Sequence, residues 1–141
     1  MTKKQLEESV GYLKNRGFEK PEIGIVLGTG LGQLVNEIEN PIEAHYNQIP
    51  FFPLATVEFH TGKLIYGTIS NKKVVVMQGR FHLYEGYDLI DITYPIRVMH
   101  QLGIQKLFIS NAAGAINLDF KKGDMMLIED HINLQGGSPL A

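Results

Sequence analysis

The sequence of 141 residues contains no cysteine, which excludes a disulfide framework and any zinc site built on cysteine thiolates. It lacks an apolar run of the roughly 18 residues that a membrane span needs, and its start, Met-Thr-Lys-Lys-Gln, leads into no apolar signal-peptide core. No basic block occurs, and the formal net charge is −2, so nothing attracts a nucleic-acid backbone. We expect a soluble, cytoplasmic protein that binds neither membrane nor nucleic acid.

The composition of the chain is that of an ordinary globular protein. Apolar residues make up 44% and charged residues 20%, so a core can form, and the length suggests one domain or part of one. No internal repeat or low-complexity tract is visible. Helix and strand patterns alternate along the chain, which predicts an α/β fold with a mixed β-sheet flanked by helices.

Two longer helices are predicted from capping residues and apolar spacing. Thr2 and Gln5 have the spacing of a capping box before a first amphipathic segment. Asp88 is placed to cap a second helix whose apolar positions continue to Leu102. Pro95 should kink this second helix or limit its first part.

Short apolar runs predict the strands, at residues 23–27, 63–69, 73–77, 107–110 and 125–128. The first and fourth runs are expected to be buried strands. Ser70-Asn71-Lys72 forms a hairpin-like connection between the second and third runs. The stretch from Asn40 to Pro53 contains three prolines and is predicted to be a loop.

A glycine-rich turn at Gly28–Gly32 directly follows the first strand, and a short helix is predicted from Leu31 to Glu37. Such a turn lets backbone N–H groups approach an oxyanion, and the hydroxyl of Thr29 adds a donor. The pattern is G-x-G-x-G rather than the dinucleotide fingerprint, because position 33 is Gln. A tight structural turn explains these glycines equally well.

The segment Gln78–Tyr87 holds a second group of candidate residues. If the chain is extended here, Arg80 and His82 point to one side and Phe81 to the other. The guanidinium fork fits a phosphate, His82 can donate one ring N–H, and Glu85 can hold the other ring nitrogen, which would fix the tautomer and favour the protonated ring. The alternatives are a surface Arg–Glu pair beside a half-buried histidine, or a metal site for which no partner ligands stand out.

The third candidate is Asn111–Gly114, which follows the fourth strand. Its small residues leave backbone N–H groups uncovered for an anion, or simply permit close packing. Ligands of α/β sheets collect at the carboxyl ends of strands. Three anion-compatible strand ends in one chain therefore predict an enzyme that binds a phosphate-like anion.

Five motifs occur in one order, namely Gly28–Gly32, His60–Gly62, Gln78–Tyr87, Asn111–Gly114 and Asp130–Leu134. Together they resemble the trimeric purine nucleoside phosphorylase family, over nearly the whole chain but only about the first half of a family member. The resemblance implies a truncated α/β fold of the phosphorylase/hydrolase-like type. Residues 1–141 would be the N-terminal, phosphate-binding part of a single nucleoside phosphorylase domain, with its C-terminal half absent.

The resemblance also implies roles for individual residues. Phosphate would be bound by Thr29, His60, Arg80, His82 and the backbone N–H of Ala112. His82 and Glu85 would be the catalytic residues, with Glu85 orienting His82, and Tyr84 would contact the ribose. The family more often has Ser at the position of Thr29, and threonine also occurs in the related methylthioadenosine phosphorylases.

The reaction implied is phosphorolysis of purine ribonucleosides or deoxyribonucleosides to the free base and the sugar 1-phosphate, as in purine salvage. Phosphate would add to C1′ of an oxocarbenium-like sugar, with no metal and no cofactor, in a homotrimer when full length. Base-recognition residues would lie in the absent half, so we expect residues 1–141 alone to be inactive.

Two other activities remain as alternatives. One is a methylthioadenosine-type phosphorylase. The more distant one is a dinucleotide-binding oxidoreductase, suggested by the strand and glycine turn at Ile23–Gly32. That fold would need a third glycine in register and an acidic residue about 20 positions on at the end of a second strand, whereas Glu43 lies in the proline-rich stretch.

Overall fold

A computed structural model describes residues 2–53 and 62–140 of the chain. Helix α1 spans Lys3–Asn15. Its predicted capping box is present, because Thr2 Oγ1 accepts the Gln5 N–H at 3.2 Å and the Gln5 side chain accepts the Thr2 N–H at 2.7 Å.

Helix α2 spans Leu89–Leu102 and begins as predicted, with the Asp88 carboxylate accepting the Asp91 N–H at 2.9 Å. It ends at Gly103, which adopts the left-handed conformation typical of a helix C-terminus. The helix continues past Pro95, so the proline does not limit its length.

Five strands form one mixed sheet, namely β1 Ile23–Val26, β2 Glu39–His45, β3 Lys63–Ile69, β4 Lys72–Gln78 and β5 Lys106–Ile109. The order across the sheet is β2-β3-β4-β1-β5. Strand β1 is parallel to both β4 and β5, whereas β3 is antiparallel to β2 and β4. The predicted mixed sheet is therefore confirmed.

Strand β2 corrects the prediction of a loop over Asn40–Pro53. It pairs with β3 at the edge of the sheet, and its register shifts between Glu39 and Ile42, around Pro41. A proline has no N–H for the ladder, so it is tolerated at an edge strand beside such a bulge.

Two further expectations were wrong. Residues 125–128 form no strand, and Met125 is almost fully exposed, because an apolar run becomes a strand only where another strand supplies ladder partners. Strand β5 forms as expected, but all four of its residues are exposed rather than buried. The predicted short helix after the glycine turn is a 3-10 helix, over Gly32–Glu37.

The two faces of the sheet are covered unequally. Val75 and Met77 of β4 pack in the same buried cluster as residues of α1 and α2, such as Leu13 and Val98. The alternate residues of β4 point to the other face, where the 3-10 helix Gly32–Glu37 supplies apolar cover. No helix in residues 2–53 and 62–140 is long and apolar enough to cross a membrane.

The sheet topology determines where a site can form. Strands β4, β1 and β5 are neighbours and run parallel, so their carboxyl ends lie at the same edge. The three candidate segments begin at the last residue of β4 or two residues after β1 and β5 end. Segments far apart in the sequence are thereby brought together at the edge where α/β sheets bind ligands.

Candidate anion-binding site

A cavity of about 320 Å³ opens at the carboxyl ends of β1 and β4. Its lining includes Thr29, Gly30, Arg80, His82 and Glu85. The glycine turn and the Gln78–Tyr87 segment, two of the three candidates from the sequence, therefore share one site. Its volume lies within the range of pockets that hold small molecules.

The glycine turn presents donors to this cavity. The Gly28 N–H is already used, donating to Ser110 Oγ at 2.9 Å. In the described part of the chain, neither the hydroxyl of Thr29 nor the N–H groups of Thr29 and Gly30 have a hydrogen-bond partner, and both residues are exposed. Gly30 has a φ of +86°, a backbone conformation that residues with a side chain rarely adopt. The turn thus offers several donors from which an oxyanion could accept hydrogen bonds.

Arg80 and His82 lie on the same side of the chain, as the extended pattern predicts. Arg80 Nε donates to His82 Nε2 at 2.9 Å, and Arg80 Nη1 donates to the Ser110 carbonyl at 2.8 Å. These bonds use two of the five guanidinium N–H groups. Phe81 is buried, with its ring centroid 5.3 Å from that of Tyr46, and both rings also contribute to the cavity wall.

Glu85 holds His82 through two contacts with one carboxylate oxygen. Glu85 Oε2 accepts the His82 main-chain N–H at 2.7 Å and lies 2.9 Å from the ring Nδ1. A short 3-10 helix, Leu83–Glu85, produces this arrangement, and Gly86 closes it with a φ of +93°. The contact that we predicted between Glu85 and a ring nitrogen is therefore present.

The hydrogen bonds also assign the tautomer of His82. A carboxylate only accepts, so Nδ1 carries the proton that faces Glu85, and Nε2 accepts from Arg80. The ring is thus neutral in this arrangement, whereas we expected its second N–H to be directed at an anion. For His82 to donate to an anion, Nε2 must gain a proton and Arg80 Nε must move off it.

The other predicted site residues stand apart from this cluster. Tyr84 is 83% exposed, stacks on the His82 ring with centroids 4.7 Å apart, and is not part of the cavity wall. Ala112 follows β5 in exposed chain and is likewise outside the wall. His60 lies outside the described residues.

Three residues to which we assigned no role from the sequence support or line the site. The Tyr46 hydroxyl donates to the carbonyl of Gly79, next to Arg80, at 2.6 Å, and burial raises the pKa of the Tyr46 phenol well above its usual range. Gln78 lines the cavity, and its buried Oε1 has no hydrogen-bond partner among residues 2–53 and 62–140. Ser110 accepts hydrogen bonds from the Gly28 N–H, through its hydroxyl oxygen, and from Arg80, through its carbonyl. Tyr46 falls in the proline-rich stretch, where no local pattern marks it.

The described residues offer no obvious metal centre. Across 2–53 and 62–140, no three His, Asp or Glu side chains are grouped as a metal ion would require. Besides Arg80, the described residues of the cavity wall include His82 and Glu85, which contact each other. The arrangement is a cationic fork and free N–H and O–H donors beside an oriented imidazole, which suits a phosphate-like anion.

Comparison with known proteins identifies the family. A family model described as the phosphorylase superfamily matches residues 22–141. The chain belongs to this superfamily. The matched range includes both segments that form the cavity and the strands that carry them.

Within this superfamily, the chain is similar to proteins named purine nucleoside phosphorylase. The chain is 49% identical over 138 residues to purine nucleoside phosphorylase 1 of Bacillus subtilis, covering 98% of this chain and 51% of that protein. It is 43% identical over 135 residues to purine nucleoside phosphorylase of Rattus norvegicus, covering 96% and 47%. The N-terminal resemblance predicted from the motifs is therefore confirmed, and the two alternative activities are not favoured.

A solved structure shows the same fold. Purine nucleoside phosphorylase of Schistosoma mansoni, in complex with acetate, superimposes with a TM-score of 0.83 at 45% identity, covering 87% of this chain and 45% of that one. Isoform 2 from the same organism, in complex with cytosine and ribose-1-phosphate, gives 0.83 at 44% identity, covering 87% and 43%. The chain thus spans about half the length of the relatives that it matches.

Proposed function

We propose that the protein carrying these residues catalyses phosphorolysis of purine nucleosides. One observation carries the proposal: Thr29 and the group Arg80, His82 and Glu85 line one cavity at the carboxyl ends of two parallel strands. The relatives named purine nucleoside phosphorylase support the choice of substrate. Residues 1–141 would be the phosphate-binding part of a single phosphorylase domain.

Inorganic phosphate would occupy this cavity as the co-substrate, and no cofactor is required. The Thr29 hydroxyl, the free N–H groups of the turn and the remaining N–H groups of Arg80 would donate to its oxygens. His82 would contribute a further donor once Nε2 is protonated, held in place by Glu85. We assign His60 and the Ala112 N–H to the same phosphate.

The reaction would proceed by loosening of the glycosidic bond. The electron pair of the bond between C1′ and the purine nitrogen goes to the purine, and the sugar develops oxocarbenium character. A phosphate oxygen then forms the new bond to C1′, giving the sugar 1-phosphate. The protein contributes by positioning phosphate and by placing its negative charge beside the developing cation. Tyr84 would contact the ribose.

The assembly and location belong to the same proposal. We propose a homotrimer in the cytoplasm, with purine nucleoside and phosphate as the only small-molecule partners of the site. Sedimentation equilibrium of the intact protein would give three times the protomer mass. A mass of one or two protomers would contradict the trimer but not the reaction.

The reaction is tested by its requirement for phosphate. A solved relative from Schistosoma mansoni holds inosine, which makes inosine a suitable substrate. The intact protein should convert inosine to hypoxanthine only when inorganic phosphate is added, with ribose 1-phosphate as the second product. Cleavage without phosphate, releasing free ribose, would indicate a nucleosidase and contradict the proposal.

The anion site is tested by Arg80→Ala. We expect the KM for phosphate to rise about 10- to 100-fold, since one charge-assisted contact is lost. Arg16→Ala is the matched control, because Arg16 lies at the end of α1 and is outside the cavity wall. If Arg80→Ala changed only the KM for inosine, the cavity would not be the phosphate site.

A further inference from the structure

Ser110 is the residue that follows β5, and each of its polar groups is bonded to a residue at or beyond the end of β1 or β4. Its N–H and its hydroxyl both approach the Val26 carbonyl, at 3.2 and 3.3 Å. Its Oγ accepts the Gly28 N–H at 2.9 Å, and its carbonyl accepts Arg80 Nη1 at 2.8 Å. One hydroxyl proton and one lone pair account for both Oγ contacts.

The packing around the Ser110 carbonyl is close. A side-chain carbon added at Gly28 would lie 2.5 Å from that oxygen and 3.0 Å from Asn111 Cα. The carbonyl is therefore held between the first glycine of the turn and the guanidinium of Arg80. The side chain of Ser110 itself is not part of the cavity wall.

We propose that Ser110 is a positioning residue for the phosphate site, which it serves through Gly28 and Arg80. The inference rests on the proposed function, because it concerns the same anion. Without the hydroxyl, the partly buried Gly28 N–H loses its acceptor, so the turn must shift to satisfy it. That shift moves the donors of Thr29 and Gly30, which come directly after Gly28.

The test compares Ser110→Ala with Ser110→Thr in the intact protein, with inorganic phosphate as the probe in calorimetric titrations. Ser110→Ala should weaken phosphate binding about tenfold, whereas Ser110→Thr keeps a hydroxyl and should stay within about twofold. Inosine KM at saturating phosphate should not change. Thr93→Ala is the matched control, since that hydroxyl donates to the Leu89 and Ile90 carbonyls of α2 and to no other described residue.

Amide hydrogen exchange at Gly28 provides a readout that does not need a ligand. Faster exchange in Ser110→Ala, but not in Ser110→Thr, supports the positioning role. Wild-type phosphate affinity and wild-type Gly28 exchange in Ser110→Ala would overturn it. If the unmodified protein bound no phosphate, the proposed function would fail, and Gly28 exchange would still decide whether Ser110 holds the turn.

Discussion

Glu85 Oε2 contacts both the main-chain N–H and the ring Nδ1 of His82. We predict that His82 is the neutral Nδ1–H tautomer in the ligand-free protein and that Glu85→Gln removes this preference, because an amide oxygen holds the ring less firmly than a carboxylate. Imidazole ¹⁵N NMR measures the tautomer. The exposed His100 of α2 serves as an internal reference and should be unaffected. A proton on Nε2 of His82 in the unmodified protein would contradict the assignment.

Tyr46 gives a prediction about alkaline stability. Burial raises the pKa of its phenol, so the folded protein retains the proton at pH values where the unfolded chain, with a tyrosine pKa of about 10, releases it. This contribution to stability is complete below pH about 10 and declines as pH rises above it. In Tyr46→Phe, the free energy of unfolding should therefore decrease less steeply as the pH rises above about 10.

At neutral pH the same substitution should lower the free energy of unfolding by about 1 kcal/mol, because the bond to the Gly79 carbonyl is lost. Urea denaturation from pH 8 to 11 measures both effects. Tyr84→Phe is the control, since the exposed Tyr84 should leave the stability unchanged at every pH. Parallel pH curves for Tyr46→Phe and the unmodified protein would contradict the prediction.

At the scale of elements, local signals predicted the helices better than the strands. The capping residues Thr2 and Asp88 lie beside the helices that they start, so the sequence alone places α1 and α2. Strand β2 depends on pairing with β3, which no local pattern encodes and which Pro41 obscures. Residues 125–128 have the composition of a strand but no ladder partner among the described residues.

The residues of the site also differ in how far the local sequence predicts them. Alternation along an extended segment was enough to place Arg80 and His82 together. The roles of Ser110 and Tyr46 depend on contacts between segments distant in the sequence, so residue type and spacing did not reveal them. Local chemistry identified Thr29, Arg80, His82 and Glu85 of the cavity wall, whereas only the fold identified the contacts that Tyr46 and Ser110 make with their neighbours.

The contact between α1 and α2 carries a prediction of its own. Ser9 of α1 is fully buried, and its Oγ lies 2.7 Å from the Tyr94 hydroxyl of α2 and 2.6 Å from the Pro50 carbonyl. Ser9→Ala removes the donor to the Pro50 carbonyl and leaves the Tyr94 hydroxyl with its bond to the Gln5 carbonyl, so it should lower the free energy of unfolding by about 1–3 kcal/mol in urea denaturation. Thr93→Ala, which removes a hydroxyl that donates to the Leu89 carbonyl of its own helix, should lower the free energy of unfolding by less. Equal losses of stability in the two variants would contradict the prediction.

For the molecule as a whole, the parallel arrangement of β4, β1 and β5 matters more than any single motif. A glycine turn alone, or an Arg-x-His segment alone, fits a structural role. The sheet order places the ends of β1 and β4 next to each other, so both segments line one cavity. The same order leaves β5 at the edge of the sheet within the described residues, with its apolar side chains exposed.

This exposed edge predicts self-association of the 141-residue chain. Phe108 and Ile109 of β5 are 59% and 62% exposed, and an apolar edge strand is a template for pairing with another chain. Sedimentation velocity should show association that increases with concentration. Phe108→Lys should shift the chain toward monomer, since a lysine at an edge opposes pairing. Gln101→Lys adds the same charge on an exposed position of α2 and should leave association unchanged. A chain that is monomeric at every concentration, or equal effects of the two lysines, would show that β5 is not the associating surface.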